Sequence, residues 1–426
     1  MCRRTVLTRI LCRACSGSGL QSFSLLFLLA GSTANGWSST LMGFDPAVLA
    51  ADMAVLATHE PRSDFPCQVT AVKPGLGFDL RFHTDYRVTM PVKVFAEAGG
   101  RLRVVMRVSP AADGAKPLYL VDRFDLPDVP EGTKGEFMLA GGFDVGLGRY
   151  RIDWVMRDSR ERFCSSHWTM EAKPERGQRD LPLTLGPNMV ADWGQDAFGT
   201  APQARRDPPE PLDVKILLNL SPVKPEESVL KPHVVTALFS MLSSITHEAR
   251  VGHVTLIAFN LREQKIIYQQ EKADRIDLAA LAKAVQSPTA GTIDYRLLKD
   301  PRSETRFVTK LLTDQLGTQA ESPDAIIIAG AKIALDRKVP LKSLKAGGAA
   351  MCPTFYLNYN PNPIEEPWSD TIGSALKAHK MALTYNIARP RDWGVAMKDM
   401  LSRIVKQPTS KAGINSVRGA NGGPGF

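Results

Sequence analysis

Apolar residues recur along this chain with two different periods. Within 65–172, Leu76, Phe78, Leu80 and Phe82 alternate with polar neighbours, the period-two signature of a strand with one buried face. Further strand candidates are 89–96, 102–108, 118–124, 135–143, 150–156 and 164–171, separated by turn clusters such as Gly99-Gly100, 110–114, 127–132 and 146–148. About seven short strands at this spacing predict an all-β sandwich. From 212 to 405 the pattern changes to apolar runs alternating with helical stripes. The runs 214–220, 325–329, 354–359 and 381–387 read as buried strands, and 254–261 and 264–270 as two more. Leu230, Val234, Leu238, Met241, Leu242 and Ile245 form one stripe over 229–250, with further helices expected at 278–285, 302–316 and 393–405, the last with Asp392 as its N-cap. Such alternation predicts an α/β sheet covered by helices on both faces.

The remaining segments divide the chain. Seven prolines fall within 173–211, which reads as a semi-stiff linker. Residues 35–64 form an N-terminal extension with a short helical pattern at 46–56, and 406–426 read as a disordered tail. Residues 1–22 carry Arg3, Arg4, Arg9 and Arg13 without an acid; the apolar run 23–30 and the small residues Ser32 and Ala34 follow. Together they read as a secretory signal peptide cleaved after Ala34, too short to span a bilayer, so a secreted or periplasmic protein with no stable membrane span is expected.

Composition alters this picture little. The 426 residues are 44% hydrophobic and 23% charged, as in an ordinary globular protein, which excludes a mostly disordered chain or a coiled coil. The net charge of +9 falls to +5 when 1–34 are removed. That value is dispersed; Arg101, Arg103 and Arg107 alternate as on a solvated sheet face, so no nucleic-acid footprint is read. Three cysteines remain beyond the leader. Cys67 and Cys164 sit at the ends of the β region and are candidates for a disulfide, which an oxidising compartment permits. Closing that loop would contribute up to ~4 kcal/mol. Cys352 reads as a buried, inert thiol.

Short segments then carry two resemblances. Gly148-Arg149-Tyr150-Arg151-Ile152 resembles the corner of immunoglobulin-like domains, where a Tyr after a Gly turn enters a central strand. In the C-terminal half, 213–221, the loop 290–295, 324–330 and 380–400 stand in the order of the anchor segments of the von Willebrand factor A domain, which 212–405 resembles. The fold class so implied is an N-terminal all-β Ig-like sandwich followed by a C-terminal α/β, Rossmann-like domain of that type. The resemblance also implies a metal site of hard oxygen ligands, and here that site is degenerate. Asn219 stands for the first acid, Ser221 keeps the first hydroxyl, Val223 replaces the second, Thr292 keeps the loop hydroxyl, and Ala329-Gly330 replaces the late Asp-Gly. A divalent ion would meet hydroxyls and an amide with no charge to offset its desolvation, so no bound metal or other cofactor is expected.

No catalytic constellation emerges. His233, His247, His253 and His379 fall in no ligand spacing, there is no Gly-x-Ser-x-Gly elbow, and Glu365-Glu366 lie among prolines in a loop. Phe355, Tyr356, Tyr359 and Trp368 fit either a ligand groove or a half-buried strand. The leading expectation is a non-catalytic interaction or adhesion-type protein. Its partner, a protein not identified by the sequence, would meet a face around Ser221, Thr292, Gly330 and Asn360. The alternative is an exported hydrolase whose active site follows no familiar motif.

Overall fold

Strand formers shape most of this chain. The computed structural model describes residues 40–42, 50–192 apart from 59, 99 and 131, then 211–223, 227, 230–286, 300, 302–316, 323–333, 335, 352–364, 370–376 and 382–406. The expected leader at 1–34, Thr292, His379, Trp368, Glu365-Glu366 and the tail from 407 lie outside these residues. The chain divides into two units, one of 1–77, 81–176 and 185–196, the other of 78–80, 177–184 and 197–426.

In chain order the first unit carries β1 (Thr40–Met42), α1 (Ala50–Thr58), β2 (Gln68–Ala71), β3 (Gly75–Leu76), β4 (Phe82–Pro91), α2 (Val92–Ala96), β5 (Arg101–Pro110), β6 (Leu118–Asp125), β7 (Glu136–Val145), β8 (Gly148–Asp158), β9 (Phe163–Ala172) and β10 (Val190–Asp192). They form two antiparallel sheets, β1-β6-β5-β8-β9 and β10-β7-β4-β2, with β3 also paired to β4. Alternation decides what lies between them: Phe82, Thr84, Tyr86, Val88 and Met90 all point inward from β4. Tyr86 meets Trp154 of β8 edge-on, ring centroids 5.7 Å apart, and its hydroxyl donates to Asp122 Oδ2 of β6 at 3.0 Å. A second contact layer lies outside the β5–β8 sheet, where Leu56 of α1 packs on Val105, Val121, Val155 and Phe163. Arg103 and Arg107 share the outward parity of Val105, but they are not on a solvated face. Arg103 approaches the buried Asp52 at 3.6 Å, and Arg107 donates to the Leu56 carbonyl at 2.7 Å and to Asp153 at 2.8 Å. Cys67 and Cys164, 97 residues apart, are joined as a disulfide.

The second unit carries β11 (Leu212–Asn219), α3 (Pro232–His247), β12 (Val251–Asn260), β13 (Lys265–Ala273), α4 (Leu278–Val285), α5 (Ser303–Leu316), β14 (Ala325–Ala331), β15 (Thr354–Tyr359), α6 (Thr371–Leu376), β16 (Ala382–Ile387) and α7 (Pro390–Lys406). Its sheet runs β13-β12-β11-β14-β15-β16. On one face Leu238 and Leu242 of α3, Leu281 of α4 and Trp393 and Met397 of α7 pack on Ile216 and Leu218. The opposite face, Leu217, Ile328 and Tyr356, receives Val308 and Leu312 of α5 and Ile372 and Leu376 of α6. Trp393 donates its indole N–H to Ser244 Oγ at 3.0 Å, tying α7 to α3.

The fold class expected from the sequence is corrected by these sheets. Of the described residues strand makes up 41% and helix 26%, and the strands fall into three sheets, so the described fold is mainly β and does not divide into an Ig-like sandwich and a clear Rossmann-like α/β domain. Two physical reasons stand out. The sheets of the first unit recruit β1 and β10 from beyond 65–172, giving five paired strands in one sheet and β3 as an addition to the other. In the second unit β13 returns antiparallel to β12 across the short 261–264 turn, which makes the sheet mixed. A parallel return needs a crossover of about a dozen residues or more. Among the described residues no helix is long and apolar enough to cross a membrane.

Candidate functional site

The carboxyl ends of the parallel strands gather asparagines into a row. Register pairs Asn219 of β11 with Gly330 of β14, Gly330 with Asn358 of β15, and Asn358 with Asn386 of β16. Since side chains alternate along a strand, Asn219 shares its face with Leu217, and Asn358 with Tyr356. The row therefore continues, at the strand ends, the apolar face on which α5 and α6 lie. Strand order also turns around at β11, flanked by β12 and β14. Connections that diverge at such a point leave a crevice beyond the strand ends, the usual place for a ligand on an open sheet.

Local hydrogen bonds fix the row. Asn219 Oδ1 accepts from the Ser221 backbone N–H at 3.1 Å and from the Ser221 hydroxyl at 2.5 Å. Ser221 Oγ in turn accepts from the Leu261 N–H at 2.7 Å. Asn358 donates through Nδ2 to Asn386 Oδ1 at 3.0 Å, and the Asn360 backbone N–H donates to the Ile387 carbonyl at 2.9 Å. Gly330 is required for the close approach of β14 to β11, because a Cβ there would lie 2.6 Å from the Cβ of Asn219. Among the described residues, the Asn219 Nδ2, Asn358 Oδ1 and Asn360 Oδ1 atoms are buried without a hydrogen-bond partner.

Acidic and phenolic groups lie one step further along the same face. Tyr356, two residues before Asn358, is fully buried, and burial together with the Asp370 carboxylate pushes its hydroxyl well above the usual phenol range. Burial likewise pushes the Asp370 carboxyl up, against the N–H of Gly373, which donates to its Oδ1 at 3.1 Å. Asp370 thus caps the first turn of α6, where its backbone carbonyl also accepts from the Ser374 N–H and hydroxyl.

Of the residues singled out in the sequence, Asn219, Ser221, Gly330 and Asn360 come together at this one sheet edge; Thr292 lies outside the described residues. The hydrogen bonds leave little for a cation. Both oxygens of the Asn219–Ser221 pair already accept from backbone N–H groups, and the spare atom of Asn219 is a donor. The aromatic residues Phe355, Tyr356 and Tyr359 are core and do not floor a groove: Tyr359 packs edge-on against Phe78 at 5.5 Å and Phe355 lies 6.3 Å from Tyr385. His247 is engaged with the Ser243 carbonyl at 2.7 Å, and His253 with Asp213 at 2.9 Å near the amino ends of β12 and β11, the opposite ends of these strands from Asn219. Cys352 is a buried free thiol. Sequence reasoning missed Asn358 and Asn386. The signal was there: an asparagine recurs at or next to the last position of β11, β15 and β16, in runs that are mostly apolar or aromatic.

Comparisons with known proteins add no identity. No family model matches the chain, and no curated protein matches it. Among solved structures, a family 2 glycosyl hydrolase from Bacteroides cellulosilyticus DSM 14838 is similar at 8% identity and a TM-score of 0.18, covering 76% of this chain and 42% of that one. A Bacteroides uniformis beta-glucuronidase is similar at 9% identity and a TM-score of 0.18, covering 74% and 39%. The chain spans less than half the length of either, and likenesses this slight carry no argument about fold or activity.

Proposed function

We propose that this chain is an exported interaction protein that binds a protein partner at the carboxyl edge of its mixed sheet and catalyses no reaction there. The observation that carries the reading is the state of Ser221. Its hydroxyl gives its proton to the amide oxygen of Asn219 at 2.5 Å, and an amide oxygen is no base. An activated serine needs an adjacent acceptor that can take the proton. What remains at the edge is neutral amide chemistry, with Asn386 exposed at one end of the row. The Cys67–Cys164 disulfide supports the exported half of the reading, because such bonds persist mainly in oxidising compartments. The hydrolase alternative finds one group of the right kind, Asp370 with its raised pKa, but that carboxyl is held as the cap of α6.

The test is photo-crosslinking from two positions in the intact chain, Asn360 at the edge and Lys283 on α4, in the protein's own exported fraction. A partner attached from position 360 and not from 283 is then purified. Its affinity is measured against wild type and Asn360→Arg. Loss of about tenfold or more in the variant is expected, since truncating or blocking a well-placed contact commonly removes that much. Equal affinity for both proteins, or crosslinking from 283 alone, would place the contact elsewhere.

A further inference from the structure

The six-stranded sheet of the second unit ends on two strands of opposite character, β13 and β16. An edge strand offers backbone N–H and C=O groups to any extended chain, and charges and bulges are the usual protection. β13 has both. It carries Lys265, Glu271 and Lys272, its pairing with β12 shifts register twice, and Lys272 takes a left-handed backbone, φ 40°. β16, Ala-Leu-Thr-Tyr-Asn-Ile, has no charge and pairs with β15 in unbroken register. The Asn360 N–H donates to the Ile387 carbonyl at 2.9 Å, which turns the Ile387 backbone toward β15. By alternation Tyr385 and Leu383 face β15 as well, and Thr384 and Asn386 turn their N–H and C=O groups outward. No strand among the described residues pairs on that side. Thr384 and Asn386 are exposed, and so is Leu383, an apolar residue 38% exposed.

Charge selects the occupant. Residues 382–406 carry five lysines and arginines against two aspartates. Arg389 and Arg391 follow β16 directly, both are exposed, and neither is ion-paired among the described residues. The two acids are already engaged. Asp392 accepts from the N–H groups of Ala388 at 3.2 Å and Arg389 at 2.9 Å, and Asp399 from the Tyr385 hydroxyl at 2.6 Å and from Arg403 at 2.8 Å. We infer that the outer side of β16 takes up an extended segment of a partner protein as an added strand, and that this segment flanks a neutral, strand-forming centre with acidic residues. Main-chain bonds to Thr384 and Asn386 supply the pairing, and an acid lying beyond Ile387 meets Arg389. Leu383 gives the added strand an apolar neighbour on one face, and Thr384 and Asn386 give it polar ones on the other. A second copy of this chain fits less well, because pairing β16 with itself brings the same surplus of arginines to the joint and no acid to offset it. The inference rests on the reading of this chain as a binder of a protein partner: Asn386 closes the asparagine row, so the open edge continues the face proposed for that contact.

The experiment titrates the intact chain, by fluorescence anisotropy, against two labelled heptapeptides that share a Thr-Val-Thr-Val-Thr centre and carry either glutamate or lysine at both ends. Saturable binding of the glutamate peptide is expected, with the lysine peptide about fivefold or more weaker. Thr384→Pro removes an outward N–H and none that faces β15, a change an edge strand tolerates, and it should abolish binding. Arg389→Glu should keep the pairing and shift the preference toward the lysine peptide. Binding of neither peptide, equal binding of both, or full binding by a folded Thr384→Pro chain would overturn the inference; if that variant does not fold, the response of Arg389→Glu decides. A dimer in sedimentation that Thr384→Pro dissolves would also overturn it, by giving the edge to a second copy. A partner captured from position 360 that binds Thr384→Pro as tightly as wild type leaves the binding face standing and removes only the added strand. Glutamate-selective peptide binding with no capture from 360 would do the reverse, keeping the pairing edge and overturning the contact at Asn360.

Discussion

At the scale of single residues, Asp370 shows how burial sets chemistry near the sheet edge. Its carboxyl titrates above its ordinary value because burial outweighs the N–H groups of Gly373 and Ile372 that favour the charged form. In the folded chain it holds its proton to a higher pH than in the unfolded chain. Between the two values the folded state binds more protons, so stability falls as pH rises. The contribution is complete below the ordinary carboxyl range, near about pH 4, and is lost as pH passes the raised folded value. Asp370→Asn keeps an oxygen for the Gly373 N–H and has no charge to bury. The variant should therefore melt above wild type at about pH 7, with the difference closing by about pH 3.5. Calorimetry across that interval checks it, and a difference independent of pH would mean that the side chain's shape, not its charge, sets the cost. The same reasoning about which atom can donate orients Asn219: its oxygen faces the Ser221 N–H, which leaves the amide nitrogen without a partner among the described residues.

Elements obey the sequence where one physical rule acts and depart from it where two compete. The stripe from Leu230 to Ile245 locates α3, but the helix begins at Pro232 because proline suits the first helical position and holds Lys231 extended, at φ −61° and ψ 138°. In α7 the start again falls on a proline, Pro390, and Asp392 does not cap from outside. It sits within the first turn and accepts from the Arg389 N–H at 2.9 Å. The alternation of Leu76, Phe78, Leu80 and Phe82 reads as one strand, yet β3 ends at Leu76 and β4 begins at Phe82. Between them Leu80 takes a left-handed backbone, φ 62°, which no strand tolerates. Burial, not pairing, keeps its side chain apolar. A disulfide stands outside such local rules. Cys67 precedes β2 and Cys164 lies in β9, so the bond closes a long loop around the first unit. Replacing both with alanine should lower stability by up to ~4 kcal/mol if constraint of the unfolded chain dominates. Urea unfolding of the double variant against oxidised wild type measures this, and unchanged stability would assign the bond no more than a local role.

For the molecule as a whole, local periodicity was legible and sheet membership was not. All six strands of the second unit fall where the sequence predicts strands, and β11, β14 and β15 stand out most clearly because burial on both faces leaves a continuous apolar run. The recruitment of β1 and β10, and the antiparallel return of β13, depend on pairing across long separations that no periodicity records. The candidate site was half legible for the same reason. Asn219, Ser221, Gly330 and Asn360 stood out by position in a pattern, while Asn358 and Asn386 acquire meaning only once register sets them side by side. That register bears on metals. The Asn219 oxygen accepts from both the Ser221 N–H and the Ser221 hydroxyl, so a divalent ion bound to it would have to displace one of those bonds. It would gain no carboxylate in exchange from Asn219, Gly330, Asn358 or Asn360, and desolvating it against neutral ligands is unfavourable. Thermal unfolding of the intact chain in EDTA, and then in millimolar magnesium, calcium or manganese, should give one melting temperature. Because any ion held by the folded state raises stability in proportion to the logarithm of its concentration over its Kd, a saturable rise of several degrees would show binding. If that rise vanished in Ser221→Ala, the Ser221 oxygen would hold the ion through its second lone pair, and the edge would be a cation site built on hydroxyl and amide oxygens after all.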